Sequence, residues 1–210
     1  MEAMTRRARA LLLSGGMDSA AIAWWHRPEL AIFIDYGQRP AKAERRAAEA
    51  VAEAAGIRLE AIKIDCSPLG TGLLAGTAQI EGAPTAEWWP YRNQLLVTFA
   101  ANVALRQDAN ISEIMVGTVS EDKTNGDGSE AFIAALDVLL SLQEHGLRVS
   151  APAIHLTSAE LVKDSGVPAE VLGWTHSCFV SDIPCLRCRG CGKHLGALEA
   201  IGRRWPDVQV

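Results

Sequence analysis

The sequence predicts an α/β protein built on a doubly wound, mostly parallel sheet. Three observations point there. Short β-like apolar runs alternate with alanine-rich stretches whose apolar residues recur at helical spacing. Strand–helix alternation of this kind gives parallel strands with helices on both faces. The first apolar run ends abruptly in Ser14-Gly15-Gly16 before a helical stretch, the sequence form of a turn at the carboxyl end of a strand.

The elements follow in chain order. Strand candidates are Ala10–Leu13, Leu30–Ile34, Arg58–Ile64 and Glu113–Gly117, and helical periodicity covers Asp18–Trp25, Pro40–Ala55 and Gln94–Asp108. Pro40 suits a first helical turn, and Gly56 suits the position just past a helix end. Residues Ser67–Pro90 are rich in Gly, Thr and Pro without a period and predict a long loop. A second loop, Ser120–Glu130, leads into a helix over Ala131–Glu144. Long loops inside a compact domain are often functional. Ligands of open parallel sheets settle beyond the strands' carboxyl ends, so Ser14–Ser19, Asp35–Arg39 and Gly117–Lys123 should converge on one crevice.

The totals set limits. With 210 residues, 49% of them hydrophobic, the chain can bury a core as one domain spanning 1–210. A net charge of −5 gives no footprint for nucleic acid, and no apolar run is long enough for a membrane span. Arginines precede a short apolar run at the N-terminus, but it ends in a glycine turn rather than a cleavage site, so a cytoplasmic protein is expected. Cys178, Cys185, Cys188 and Cys191 crowd into one C-terminal segment, 176–194, whereas Cys66 stands alone and reads as a buried free thiol. Four clustered thiolates suit a closed tetrahedral zinc site of structural type, although Cys185–Cys191 also has the spacing of iron–sulfur runs. His176 and His194 read as bystanders, and Arg187, Arg189 and Lys193 as counter-charges for the thiolates.

Glycines at 15 and 16 let backbone approach a phosphate, and the following helix start offers free N–H groups and a positive dipole end. Ser14 and Ser19 add hydroxyls; Asp18 does not suit an anion site unless it caps the turn or helps hold a magnesium ion beside the phosphates. The string Ser-Gly-Gly-x-Asp-Ser resembles the pyrophosphate-binding loop of N-type ATP pyrophosphatases, which cleave ATP to AMP and pyrophosphate. Ile34–Arg39, Pro90–Asn93, Val116–Asp122, the Asp127…Phe132 pair and the cysteine run follow in order. Together they resemble the 7-cyano-7-deazaguanine synthase family across nearly the whole chain.

That resemblance implies an adenine-nucleotide α-hydrolase-like fold, ATP as cosubstrate, Mg2+, one structural Zn2+ on the four cysteines, and a homodimer. The implied reaction adenylates 7-carboxy-7-deazaguanine and lets ammonia displace AMP, giving the amide and then the nitrile. Leu13, Ser14, Gly15, Gly16, Asp18, Ser19, Tyr36, Gln38, Arg39 and Gly117 would bind ATP. Trp89, Tyr91, Arg92, Asn93, Asp127 and Phe132 would bind the substrate, with Trp88 a further stacking candidate. Arg92, Asp122 and Lys123 would be catalytic. "WWP" equally suits a loop packed on the core.

The chain departs from the family at the substrate end. It has Pro90-Tyr91-Arg92-Asn93 for Pro-Gly-Arg-Asn, Asp127-Gly128-Ser129 for Asp-Cys-Arg, and Ser158-Ala159-Glu160 where a lysine precedes Ala-Glu. A cation near the developing phosphate charge is thereby lost unless Lys123 or Lys163 replaces it from elsewhere. Three alternatives remain open: a relative that stops at the amide or joins the acid to another amine, including one on a partner protein as in bacterial defence systems; a tRNA-thiolating enzyme; and a non-catalytic zinc-stabilised nucleotide binder.

Overall fold

The computed structural model describes residues 8–143 and 145–203. Five parallel strands form one sheet in the order β3-β2-β1-β4-β5. They are β1 (Ala8–Leu12), β2 (Leu30–Asp35), β3 (Arg58–Lys63), β4 (Ile111–Met115) and β5 (Arg148–Ser150). The helices are α1 (Met17–His26), α2 (Ala41–Ala55), α3 (Gly72–Ala75), α4 (Arg92–Gln107), α5 (Glu130–Ser141), α6 (Ser158–Ser165), α7 (Ala169–Trp174) and α8 (Arg189–Ala200).

Side chains alternate across a strand, and the sequence exploits it. Leu11, Ala31 and Phe33 point to one face, where α1, α2, α6 and α7 cover them. Ala10, Leu30, Ile32 and Ile34 point to the other, against α4 and the buried Trp89, while α5 packs over β4 and β5 through Leu136, Leu140 and Val149. The chain therefore winds outward from β1 to β3, then crosses β1 to form β4. The reversal lies between β1 and β4, whose Leu11 and Met115 are paired. At such a point the connections on either side leave for opposite faces and open a crevice.

The predicted strands and helices are present with shifted ends. Leu13 lies beyond β1, β4 begins at Ile111 instead of Glu113, and α4 starts two residues early at Arg92. The helix expected over Ala131–Glu144 ends at Ser141, and Glu144 lies outside the described residues, as do Arg6 and Arg7. Pro40 caps α2 from just outside, and Gly56 ends it at φ 66°. The loop over Ser67–Pro90 is not featureless: it contains a 3-10 turn, Ser67–Leu69, and α3. Among the described residues no helix is long and apolar enough to cross a membrane.

Candidate active site and metal centre

The crevice at the β1/β4 reversal is a cavity of about 310 Å³, a size suited to a small-molecule ligand. Its floor is the turn after β1. Gly15 takes φ +79°, and a Cβ there would lie 2.3 Å from the Glu44 carbonyl oxygen, so only glycine lets the loop press against α2. Gly16 caps α1, whose first turn, Met17 to Ser19, lines the cavity. Ser19 Oγ donates to Gly16 O at 3.0 Å and lies 3.1 Å from Ser14 Oγ, fixing both hydroxyls at the helix start. Gly117 closes the far side: a Cβ there would come within 3.2 Å of Ser19 Cβ, which lets the end of β4 meet α1 closely.

Acidic and basic groups then converge. Lys193 Nζ sits 2.9 Å from Asp18 Oδ2 and 2.8 Å from Asp122 Oδ1. Burial pushes the Asp18 carboxyl up, while the Lys193 ammonium beside it pulls it down; the net direction is upward. Burial also opposes the charge on Lys193, but Asp18 and Asp122 outweigh it and hold the ammonium protonated. Asp122 Oδ2 further accepts the Val119 amide at 3.1 Å, which fixes the turn after β4. Arg92, at the start of α4, bonds Asn93 Oδ1 at 3.2 Å. Burial disfavours its charge, and Tyr36, Asp127, Glu44 and Asp122 more than restore it. Asn93 in turn donates to the Asp127 carbonyl at 3.1 Å, tying α4 to the loop before α5. Glu44, on the first turn of α2, accepts from Gln38 Nε2 at 2.8 Å, and burial pushes its carboxyl up to about 7.

Most predicted residues meet here. Leu13, Ser14, Gly16, Asp18, Ser19, Tyr36, Gln38, Arg92, Asn93, Gly117, Asp122, Asp127 and Phe132 all line the cavity. Gly15 shapes the loop from behind. Others lie elsewhere. Arg39 and Lys123 are exposed and do not line the cavity. Trp89 is 2% exposed and packs edge-on to Tyr36 with centroids 5.0 Å apart, so it is a core residue. Trp88 is half-buried off the cavity wall. Tyr91 is 75% exposed. Lys163, offered in place of the lysine missing at 158, faces solvent on α6.

Glu44, Glu87, His176, Arg189, Lys193 and His194 also line the cavity, although sequence reasoning gave none of them a part in this crevice. Arg189 and Lys193 do not balance thiolates. Arg189 pairs with the buried Glu87 at 2.9 Å, and Lys193 with the two aspartates. His176 gives its amide to Gly15 O at 2.9 Å and approaches Ser181 O with Nε2 at 3.0 Å.

Behind this wall the sulfurs of Cys178, Cys185, Cys188 and Cys191 lie within 4.8 Å of one another. Tetrahedral thiolate coordination at about 2.3 Å places sulfurs about 3.8 Å apart around a single ion, inside that limit. Backbone amides already point at them: Val180 N to Cys178 Sγ, Cys188 N to Cys185 Sγ and Cys191 N to Cys188 Sγ, each at 3.4 Å. Such amides favour thiolates, and those of Arg187 and Cys188 help hold the Cys185 thiol down near 6. All four donors belong to the protein, so a bound ion has a closed shell. Cys66 is buried and separate from the cluster, as expected.

The chain is similar in sequence to known proteins. The sequence model of the queuosine biosynthesis protein QueC matches residues 9–202. The chain is 32% identical to the 7-cyano-7-deazaguanine synthase of Methanothermobacter thermautotrophicus, over 91% of this chain and 94% of that protein. It is 30% identical to the enzyme of that name from Methanosarcina mazei, over 94% and 96%. It is 31% identical to the one from Frankia casuarinae, over 94% and 92%. Among solved structures, NMN synthetase from Francisella tularensis matches with a TM-score of 0.49 at 13% identity, over 97% of this chain and 80% of that one.

Proposed function

The chain belongs to the QueC family of queuosine biosynthesis proteins, and from that premise we propose that it activates 7-carboxy-7-deazaguanine with ATP. The observation that carries this reading is the meeting, in one cavity, of the glycine loop, the Asp18–Asp122 pair, Arg92 and Asp127. A carboxylate is a poor electrophile, so its oxygen first attacks the α-phosphorus of ATP and pyrophosphate leaves. Ammonia adds to the acyl adenylate, AMP departs, and the 7-amide results. The amide oxygen takes a second adenylyl group from another ATP, releasing pyrophosphate; loss of AMP and of both amide N–H protons leaves the nitrile.

The protein's part is positioning and charge stabilisation. The α1 amides and the hydroxyls of Ser14 and Ser19 receive the polyphosphate tail. Asp18 and Asp122 already flank a cation, and Asp18 Oδ1 is buried without a partner among the described residues. That donor set fits Mg2+, whose chemistry here is to neutralise the phosphate charge that builds as pyrophosphate departs. Arg92 orients the carboxylate, Asp127 accepts the N–H groups of the guanine-like edge, and Phe132 offers a face to the ring. The four cysteines hold Zn2+, which their all-sulfur set suits. We take the protein to act in the cytoplasm as a homodimer paired through α5, whose outer stripe of Ala131, Ala134, Ala135, Val138, Leu139 and Leu142 is exposed and uncharged.

Incubating the protein with the acid, ATP, magnesium and ammonia tests the reading. AMP, pyrophosphate and nitrile should accumulate; absence of AMP release defeats it. A second reading passes the acyl adenylate to an amine on a partner protein. The short Asp127-Gly128-Ser129 loop and the exposed Tyr91 beside Arg92 support it. Mass spectrometry of that partner would then find an added base in place of free nitrile.

A further inference from the structure

Lys193 links two parts of the molecule that the sequence keeps apart. Its Nζ reaches Asp18 on α1 and Asp122 after β4 at 2.9 and 2.8 Å. A lysine ammonium has three donors; the carboxylates take two, and the side chain lies on the cavity wall with a third to give. The Ser158 hydroxyl lies beside the Asp18 carboxylate and favours its charged form. A carboxylate oxygen cannot receive an anion, so what this cluster can offer a phosphate is the remaining donor of the ammonium.

The helix that carries Lys193 is held by the sulfur cluster. Cys188 caps α8, its sulfur accepts the Cys191 amide, and Lys193 follows two residues later. A Cβ on Gly190 would lie 2.0 Å from the Ser177 carbonyl oxygen, so the helix start is pressed onto the strand of chain that contains Cys178. That same segment donates the His176 amide to Gly15 O at 2.9 Å. Cluster, glycine loop and Lys193 are thus joined through short backbone contacts.

We propose that the four-cysteine clamp is a positioning device, and that the group it positions, Lys193, contacts the polyphosphate of ATP beside the glycine loop. The clamp then sets affinity for the nucleotide tail in addition to holding the C-terminal segment. This rests on the reading that the loop takes ATP, but not on the identity of the acid.

The test is calorimetry with magnesium pyrophosphate, which needs no acid and no turnover. Lys193→Ala should weaken binding roughly 10- to 100-fold, the worth of one charged hydrogen bond, with metal content unchanged by elemental analysis. Stripping the cluster metal should weaken the wild type by a similar factor. Ser158→Lys combined with Lys193→Ala returns an amine to Asp18 from α6, which the cluster does not carry, so affinity should recover and become indifferent to the cluster metal. Should stripping unfold the chain by circular dichroism, Gly190→Ala takes its place: it displaces α8 with all four sulfurs retained, and should cost affinity alike. Lys163→Ala, on the solvent face of α6, should change nothing. Wild-type affinity in Lys193→Ala, or intact affinity after the clamp is disturbed, overturns the proposal. If pyrophosphate binding behaves as stated but the acid yields no AMP, the substrate assignment fails and this inference stands.

Discussion

Replacing Gly15 by alanine tests the floor of the cavity as a piece of backbone. Two penalties add there. Left-handed geometry, at φ +79°, costs a non-glycine residue about 1–2 kcal/mol. The new methyl would also sit 2.3 Å from Glu44 O and 3.0 Å from Ala47 Cβ, where ordinary contact begins near 3.4 Å. Glu44 O belongs to the first turn of α2, so no flexible side chain can swing aside. The loop must retreat by roughly 1 Å, and overpacking of that kind costs about 1–3 kcal/mol. Together the substitution should remove about 2–5 kcal/mol of stability, read as a lowered midpoint in urea denaturation at unchanged slope. A loop displaced by about 1 Å should also slow AMP formation about 100-fold in kcat/KM. Gly16→Ala is the stability comparison: Gly16 has φ −75° and its nearest would-be contact is Ser14 Oγ at 3.4 Å, so its midpoint should barely move. A Gly15→Ala protein with wild-type midpoint and wild-type turnover would refute the reasoning.

Other consequences are equally direct. Burial raises the folded Glu44 carboxyl to about 7 from 4.5, so the native state holds this proton more tightly than the unfolded chain. The stability it lends is complete below pH 4.5 and lost as pH rises through 7, on the order of 3 kcal/mol; Glu44→Gln should therefore gain on the wild type between pH 5 and pH 8, and a constant difference would contradict the cause. Cys185→Ser should drop zinc from about one per chain towards none and shorten the half-life of α8 protection in hydrogen exchange, because a three-sulfur shell leaves the ion open. Trp89→Ala should destabilise by about 3–5 kcal/mol, as expected for a core aromatic, and substrate KM measured well below the melting temperature should stay near wild type; a large KM change with little loss of stability would return Trp89 to the substrate.

The sequence is legible where one residue's chemistry suffices. Alternating apolar runs fix β1 to β4, and Gly15-Gly16 after the first of them locates the crevice before any coordinates. The four cysteines announce their cluster because their spacing is local. What sequence hides is register and reach. β5 has only three residues, Arg148–Ser150, and is held by Asp137, which pairs with Arg148 and takes the Val149 amide at 2.8 Å; no period is visible in so short a run. α6 did carry a readable signal, the capping box of Thr157 and Glu160. The aromatic pair Trp88-Trp89 offers no clue to which ring is buried, since both stack and core positions want an indole. Lys193 beside sulfur-bearing residues reads as a local counter-charge, and only the docking of α8 against α6, which itself packs on α1, turns it towards Asp18. Neither Lys123 nor Lys163 lines the cavity in place of the lysine missing at 158; the cation at Asp18 comes from another element altogether.

The most direct test of the central claim is to follow the oxygen atoms. With the substrate carboxylate labelled with oxygen-18, and ATP and ammonia supplied, adenylation predicts that each AMP released in the first step carries one labelled oxygen, detectable by mass spectrometry. Unlabelled AMP, or ATP cleaved to ADP and phosphate instead, would mean that the acid never takes the adenylyl group in this cavity.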